Sequence, residues 1–168
     1  MRYIEAPTEY SGDSPALFLA GGISGTGDWQ HDLTALLADS DLVVLNPRRR
    51  AFPMDDPNAT EEQITWEFRH LQRAWAKAFW FPPPTLCPIA LFELGKCSES
   101  SSPLFVGVDL QYARKRDVEI QLRLARPDVR VVYTLNDLAQ QVLKAARDLP
   151  LAVSRTDVAA SHADLGES

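Results

Sequence analysis

Two hydrophobic periods alternate along the chain. "PALFLAGG" (15–22), "LVVLN" (42–46), "AFWF" (78–81), "LFVGVD" (104–109) and "VRVVYT" (129–134) are short, nearly continuous apolar runs. Runs of that length, followed by Gly, Pro, Asn or Asp, predict strands buried on both faces. The segments between them change to a helical period. From Asp28, which can cap exposed amides, Trp29, Leu33, Leu36 and Leu37 share one face. Thr60 predicts the start of a second helix, with Glu61 and Glu62 near its positive end and Ile64, Phe68, Leu71 and Trp75 as its buried stripe. A short helix through "PIALFELGK" (88–96) is expected to end near Gly95. "DVEIQLRLAR" (117–126) and "NDLAQQVLKAARDL" (136–149), the latter capped by Asn136, complete the set.

Five apolar strands alternating with helices predict an α/β fold with a parallel sheet, because parallel neighbours need a crossover and the helix supplies it. Right-handed crossovers make the expected architecture a flavodoxin-like doubly wound five-stranded parallel sheet with helices on both faces. Residues 15–149 form the domain. Residues 1–14, rich in turn formers, are read as a loosely attached N-terminal arm, and 47–60 as the longest loop. Residues 150–168 lose all periodicity and are expected to be a disordered tail.

Composition narrows the function. A chain of 168 residues that is 45% hydrophobic suits one domain with a substantial core. A net charge of -6 argues against nucleic acid, whose phosphates reward clustered Lys and Arg, and leaves small molecules as partners. Cys87 and Cys97 have neither disulfide-framework nor zinc spacing, so no metal and no cofactor are expected. No apolar run reaches signal-peptide or membrane-span length, which predicts a cytoplasmic protein.

In a doubly wound sheet, ligands bind outside the carboxyl ends of the strands. Four segments meet there. "GGISGTG" offers Gly21, Gly22 and Ile23 with unhindered amides, although it is neither a P-loop nor a dinucleotide fingerprint. "NPRRR" offers Asn46 and the arginines Arg48, Arg49 and Arg50, suited to a phosphate or carboxylate. "AFWF" ends near Trp80, an aromatic that could stack on a base. "VDLQY" carries Asp109 and Tyr112. The carboxylates are more telling. With a helical 100° per residue, Glu67 falls about 60° from Ile64, at the border of the buried stripe. Glu93 has apolar neighbours on every side, and a carboxylate is kept poorly solvated chiefly where chemistry needs it.

"FLAGGI" with "DWQ", then "NPRR", "FPMDDP", "QITWEF", "FWF", "PIALFELGK" and "DVEIQ" resemble, in order, the nucleoside 2-deoxyribosyltransferase-like family over about residues 16–145. The resemblance implies cleavage of an N-glycosidic bond through a covalent glycosyl-enzyme intermediate, with the sugar transferred to another base, in a homo-oligomer. It assigns the nucleophile of the "ELG" motif to Glu93, a second acid that binds sugar or base to Glu67, and a place against the substrate to Gly21 and Gly22. The chain departs from the family pattern near Trp75 and Lys77, where many relatives carry an acid, and in "PPPTLCP", which lacks an Asp. Three alternatives remain open at this stage: a hydrolase of nucleosides or nucleoside monophosphates, a catalytically silent nucleotide-binding sensor, and a structural partner protein.

Overall fold

The computed structural model describes residues 1–149; the tail expected over 150–168 lies outside the described residues. The strands are β1 (Arg2–Glu5), β2 (Ala16–Gly21), β3 (Val43–Asn46), β4 (Ala76–Phe81), β5 (Leu104–Val108) and β6 (Val131–Val132). The helices are α1 (Trp29–Leu36), α2 (Ala59–Arg73), α3 (Pro88–Ser98), α4 (Lys115–Ala125) and α5 (Leu135–Arg147). All strands are parallel, in the order β1-β3-β2-β4-β5-β6. Counted from β2, the run β3-β2-β4-β5-β6 is the flavodoxin-like order 2-1-3-4-5.

The sheet has six strands rather than five. Residues 1–14, expected as a loose arm, contain the extra one. β1 pairs in register with β3, Arg2 beside Val43 through Glu5 beside Asn46, and so covers an edge that would otherwise expose unpaired amides and carbonyls. Ile4 and Ala6 enter the core behind it. "RYIE" is too short to show a period, which is why its pairing is invisible in sequence.

Two apolar layers sandwich the sheet. One is built from α2, α3 and α4, with Trp66, Leu71, Ala90, Leu94, Val118 and Leu122 packed on Phe18, Phe79 and Phe81. The other is built from α1 and α5, with Trp29, Leu33, Leu138 and Val142 packed on Leu17, Leu19 and Val44. Alternate strand residues thus serve opposite faces, as the pleat requires.

The caps follow physical preference with small offsets. Asp28 accepts from the His31 amide at 3.1 Å as expected, whereas α2 starts after Asn58 rather than Thr60. The last helix is capped by the Thr134 hydroxyl, which accepts from the Asp137 amide at 3.0 Å, rather than by Asn136. The α3 helix continues through Gly95 to Ser98, and Cys97, two residues beyond Gly95, is buried in the core. The larger correction concerns α2. Ile64 and Phe68, expected in the buried stripe, are 60% and 50% exposed, while Trp66, His70 and Leu71 face the core. Trp66 outweighs Ile64 because its large ring buries more apolar area and its N–H needs a partner. The indole stacks on His70 at 4.2 Å between centroids and donates to the Thr8 carbonyl at 2.9 Å. The His70 Nε2 accepts from the Tyr10 amide at 3.1 Å, so Nδ1 carries the proton and donates to the Trp66 carbonyl at 2.8 Å. The N-terminal segment thereby sets the rotation of α2.

Candidate functional site

Rotation of α2 brings Glu67 toward the carboxyl ends of the strands. There Glu67, Glu93 of α3, the turn Gly21–Ser24 after β2, Pro47 after β3, and Thr85 and Cys87 before α3 enclose a cavity of about 400 Å³. It lies at the switch point predicted by the doubly wound topology, and its volume is that of a small-molecule site.

The turn after β2 runs as close to its neighbours as a backbone can. A Cβ on Gly21, whose φ is 152°, would lie 2.1 Å from the Trp80 carbonyl oxygen, and one on Gly22 would lie 2.8 Å from Cys87 Sγ. Gly21 admits no side chain, and one at Gly22 would force the Cys87, Pro82 and Thr85 side chains to shift. The far side of the loop is tied down. Trp29 Nε1 donates to the Gly22 carbonyl at 2.7 Å. The Arg48 guanidinium donates to the Gly27 carbonyl at 2.8 Å, the Thr26 carbonyl at 3.2 Å and Gln30 Oε1 at 3.2 Å. Arg48 therefore acts on the loop from behind.

Cys87, at φ 48° and ψ 51°, precedes Pro88 at the start of α3. A following proline favours extended backbone in the residue before it, so the left-handed conformation of Cys87 departs from the usual geometry at such a step. The thiol is buried and pushed up to about 11, which keeps it neutral and excludes it as a thiolate nucleophile at neutral pH. The Tyr112 hydroxyl fixes this loop from below by donating to the Leu86 carbonyl at 2.8 Å.

The two acids are unlike in their surroundings. Burial, with the Glu67 charge next, pushes the Glu93 carboxyl up to about 7, opposed by Lys96. Burial also raises Glu67, opposed by a hydrogen bond from Gln63 Nε2 at 2.7 Å and by the Arg49 charge. Two carboxylates in one apolar-walled cavity resist simultaneous ionisation, so near neutral pH the pair can offer one charged oxygen and one proton.

The structure brings together Glu93, Glu67, Gly21, Gly22 and Ile23 and leaves the other candidates elsewhere. The Asn46 side chain donates to Tyr3 Oη at 2.8 Å and accepts from the Arg48 amide at 2.9 Å, facing a second, polar cavity that also borders Arg48 and Arg49. Arg49 is paired with Glu62 at 2.7 Å. Trp80 is buried in the α1/α5 layer, on the opposite face of the sheet from both acids. Asp109 accepts from the Gln111 amide at 2.8 Å, and Tyr112 packs on Phe81; neither lines the cavity. Trp75, just before β4, and Lys77, at its start, lie at the end of the sheet away from the cavity, so an acid replaced there leaves the pair intact. Thr85, Cys87 and Gln63 were missed from sequence. The Cys-Pro step at 87–88 was the available signal for the first two.

The sequence profile described as nucleoside 2-deoxyribosyltransferase like matches residues 14–112, more than half of the chain. The chain belongs to this family. No curated protein matches it. The match runs from just before β2 to just beyond β5, so every residue bordering the cavity lies inside the part that is nucleoside 2-deoxyribosyltransferase like. Among the described residues no helix is long and apolar enough to cross a membrane.

Proposed function

We propose that the protein cleaves the N-glycosidic bond of a deoxynucleoside through a covalent glycosyl intermediate on Glu93 and transfers the sugar to another base. The observation that carries this reading is the meeting of Glu93 and Glu67 in one cavity beside the glycine turn. Glu93 attacks the anomeric carbon as the base departs, through an oxocarbenium-like transition state, and the incoming base then displaces the carboxylate. Glu67 binds the sugar or the base beside it. Cavity walls from Phe18, Ala20, Ile23 and Ala90 keep water from the reacting carbon.

An uncharged nucleoside fits better than a nucleotide. Among the described residues no lysine or arginine lines the cavity, two carboxylates do, and Arg48 and Arg49 are engaged elsewhere. A panel of nucleosides and nucleoside monophosphates, with and without an acceptor base and resolved by chromatography, tests the reading. Exchange of bases supports transfer, release of free base without exchange replaces it by hydrolysis, and ligand stabilisation without any product replaces it by a sensor. Run against pH, the same assay has a defined sign. The nucleophile must be ionised and its carboxyl is raised to about 7, so activity rises as pH increases through about 7 and falls about tenfold per unit below it. A profile already flat from pH 5 upward would remove Glu93 as the ionising group.

The reading includes a homo-oligomer. Ile64, Phe68, Ile89 and Phe92 are 60%, 50%, 65% and 67% exposed on the outer faces of α2 and α3 beside the cavity. Lys96 bridges the two aromatic rings, 4.7 Å from Phe68 and 5.6 Å from Phe92. A cluster of large apolar side chains rimmed by charge is the composition of an interface between copies. Sedimentation is expected to give a multiple of the 18.7 kDa chain mass, reduced to the single-chain mass in Phe92→Glu. A single-chain mass for the unmodified protein would overturn this part.

A further inference from the structure

Gln63 occupies a position between the catalytic pair and the loop after β3 that the reading above leaves unused. Its Nε2 donates twice, to the Pro47 carbonyl at 2.7 Å and to Glu67 Oε1 at 2.7 Å. Its own Oε1 is buried without a partner. Both neighbours of Nε2 are acceptors, so reversing the amide would set oxygen against oxygen at Pro47. The orientation is therefore forced, and the side chain forgoes one hydrogen bond to give both amide protons away. Glu93 has no hydrogen-bond donor among the described residues. Two carboxylates of one chemical type thus face a single cavity, but only one is stabilised in its charged form.

We propose that Gln63 is a positioning residue that decides which acid of the pair carries the charge: anchored on Pro47, it holds Glu67 as the carboxylate and leaves Glu93 the acid that keeps its proton in the unliganded protein. A donor bonded to a carboxylate stabilises the ionised form about twice as strongly as the neutral one. Charge on Glu67 then opposes charge on Glu93. The other groups facing the pair come from three elements: Arg49 from the β3–α2 loop toward Glu67, and Lys96 and Cys97 from α3 and Cys87 from the loop before it toward Glu93. Arg49 and Lys96 oppose each other in effect, one favouring a charge on Glu67 and the other on Glu93. Cys87 is neutral at working pH. The asymmetry left over is the Gln63 amide.

Gln63→Met tests this, because methionine matches the length and helix propensity of glutamine and offers no donor. Carboxyl carbon NMR shifts of Glu67 and Glu93, followed against pH in the unliganded protein, read the charge on each acid whether or not the protein turns over. In the unmodified protein Glu67 is expected to ionise first and Glu93 near neutral pH. In Gln63→Met the two curves converge, with Glu67 moving up and Glu93 moving down by about one pH unit, the effect of one charge-assisted hydrogen bond. Glu67→Gln removes the opposing charge entirely and moves the Glu93 curve further in the same direction. A Glu93 that ionises before Glu67 in the unmodified protein, or curves unmoved in Gln63→Met while circular dichroism shows the fold retained, would overturn the proposal. The link to turnover rests on the glycosyl-transfer reading. If that reading holds, the rise of activity with pH shifts to more acid values in Gln63→Met; if the NMR curves converge in a protein that releases no base, the transfer reading fails and the role of Gln63 stands.

Discussion

Glu93→Gln is expected to abolish base release, with a loss on the order of 10³-fold or more, since no other ionisable oxygen of suitable placement replaces a nucleophile that has been removed. The amide keeps the volume of the carboxyl, so the fold persists. Stability should change in the opposite direction from activity. A carboxyl raised to about 7 in the folded protein binds its proton more tightly there than in the unfolded chain, where it titrates near 4.5. Its contribution to stability is therefore fully present below about pH 4.5 and is lost as pH rises through about 7. Denaturant midpoints of the unmodified protein should fall between those pH values, and those of Glu93→Gln should fall less, the remainder coming from Glu67, which burial also raises. A mechanism-based 2-fluoro-2-deoxyribosyl nucleoside should leave its sugar on a peptide containing Glu93. Base release by Glu93→Gln at the unmodified rate would exclude this acid from the chemistry, and turnover with no adduct in intact-protein mass spectra would point to direct displacement.

The second large effect is structural. Trp66→Ala should cost about 3–5 kcal/mol, the range for deleting a fully buried tryptophan. Trp66 is 1% exposed, stacks on His70 and lies 6.0 Å from Phe18, so its removal leaves a void that two neighbours and a strand cannot close. It also leaves the Thr8 carbonyl without the indole donor. A domain of this size is stable by about 5–15 kcal/mol, so much of the margin disappears. Trp66→Phe retains the ring but not the N–H and should cost about 1–3 kcal/mol. Urea denaturation followed by far-ultraviolet circular dichroism measures both. A loss below about 1 kcal/mol for Trp66→Ala would show that α2 is not held by this contact. Because the same contact turns Glu67 toward the cavity, Trp66→Phe should also lower activity more than its stability loss accounts for.

How much could be read without coordinates varies by element. The four interior strands were legible because a strand buried on both faces must be apolar throughout, as "ALFLA", "VVL" and "FVGV" are, whereas "VRVVYT" yields only the two-residue, partly exposed edge strand β6. Glu93 was legible for a related reason: an acid amid Ile89, Ala90, Leu91, Phe92 and Leu94 has no wholly polar direction on any helix. The glycine turn was legible because its length and position follow from the strand before it. By contrast, the α2 stripe misled. Ile64, Phe68 and Leu71 are spaced as a core face, yet two of the three face outward, and hydrophobic period alone does not separate a core from a surface beside a cavity.

The arginines and Trp80 show a different limit. Adjacent Arg48, Arg49 and Arg50 look like an anion grip, and what each does depends on acceptors distant in sequence: loop carbonyls at 26 and 27 for Arg48, Glu62 for Arg49, Glu5 for Arg50. Trp80 ends a strand at the correct edge of the sheet, but parity sends it to the α1/α5 face, where its ring closes over Gly107.

Local sequence by itself determined the interior strands, the parallel sheet they require, and the placing of one acid within an apolar run, because those features depend on period and composition within a few residues. Only the tertiary structure decided that "RYIE" is a sixth strand, that Trp66 and the N-terminal segment set the turn of α2, and that Glu67 consequently shares a cavity with Glu93 under the hand of Gln63. Each of these pairs residues from separate elements, and their energy comes from burial and hydrogen bonds that exist only once those elements have packed.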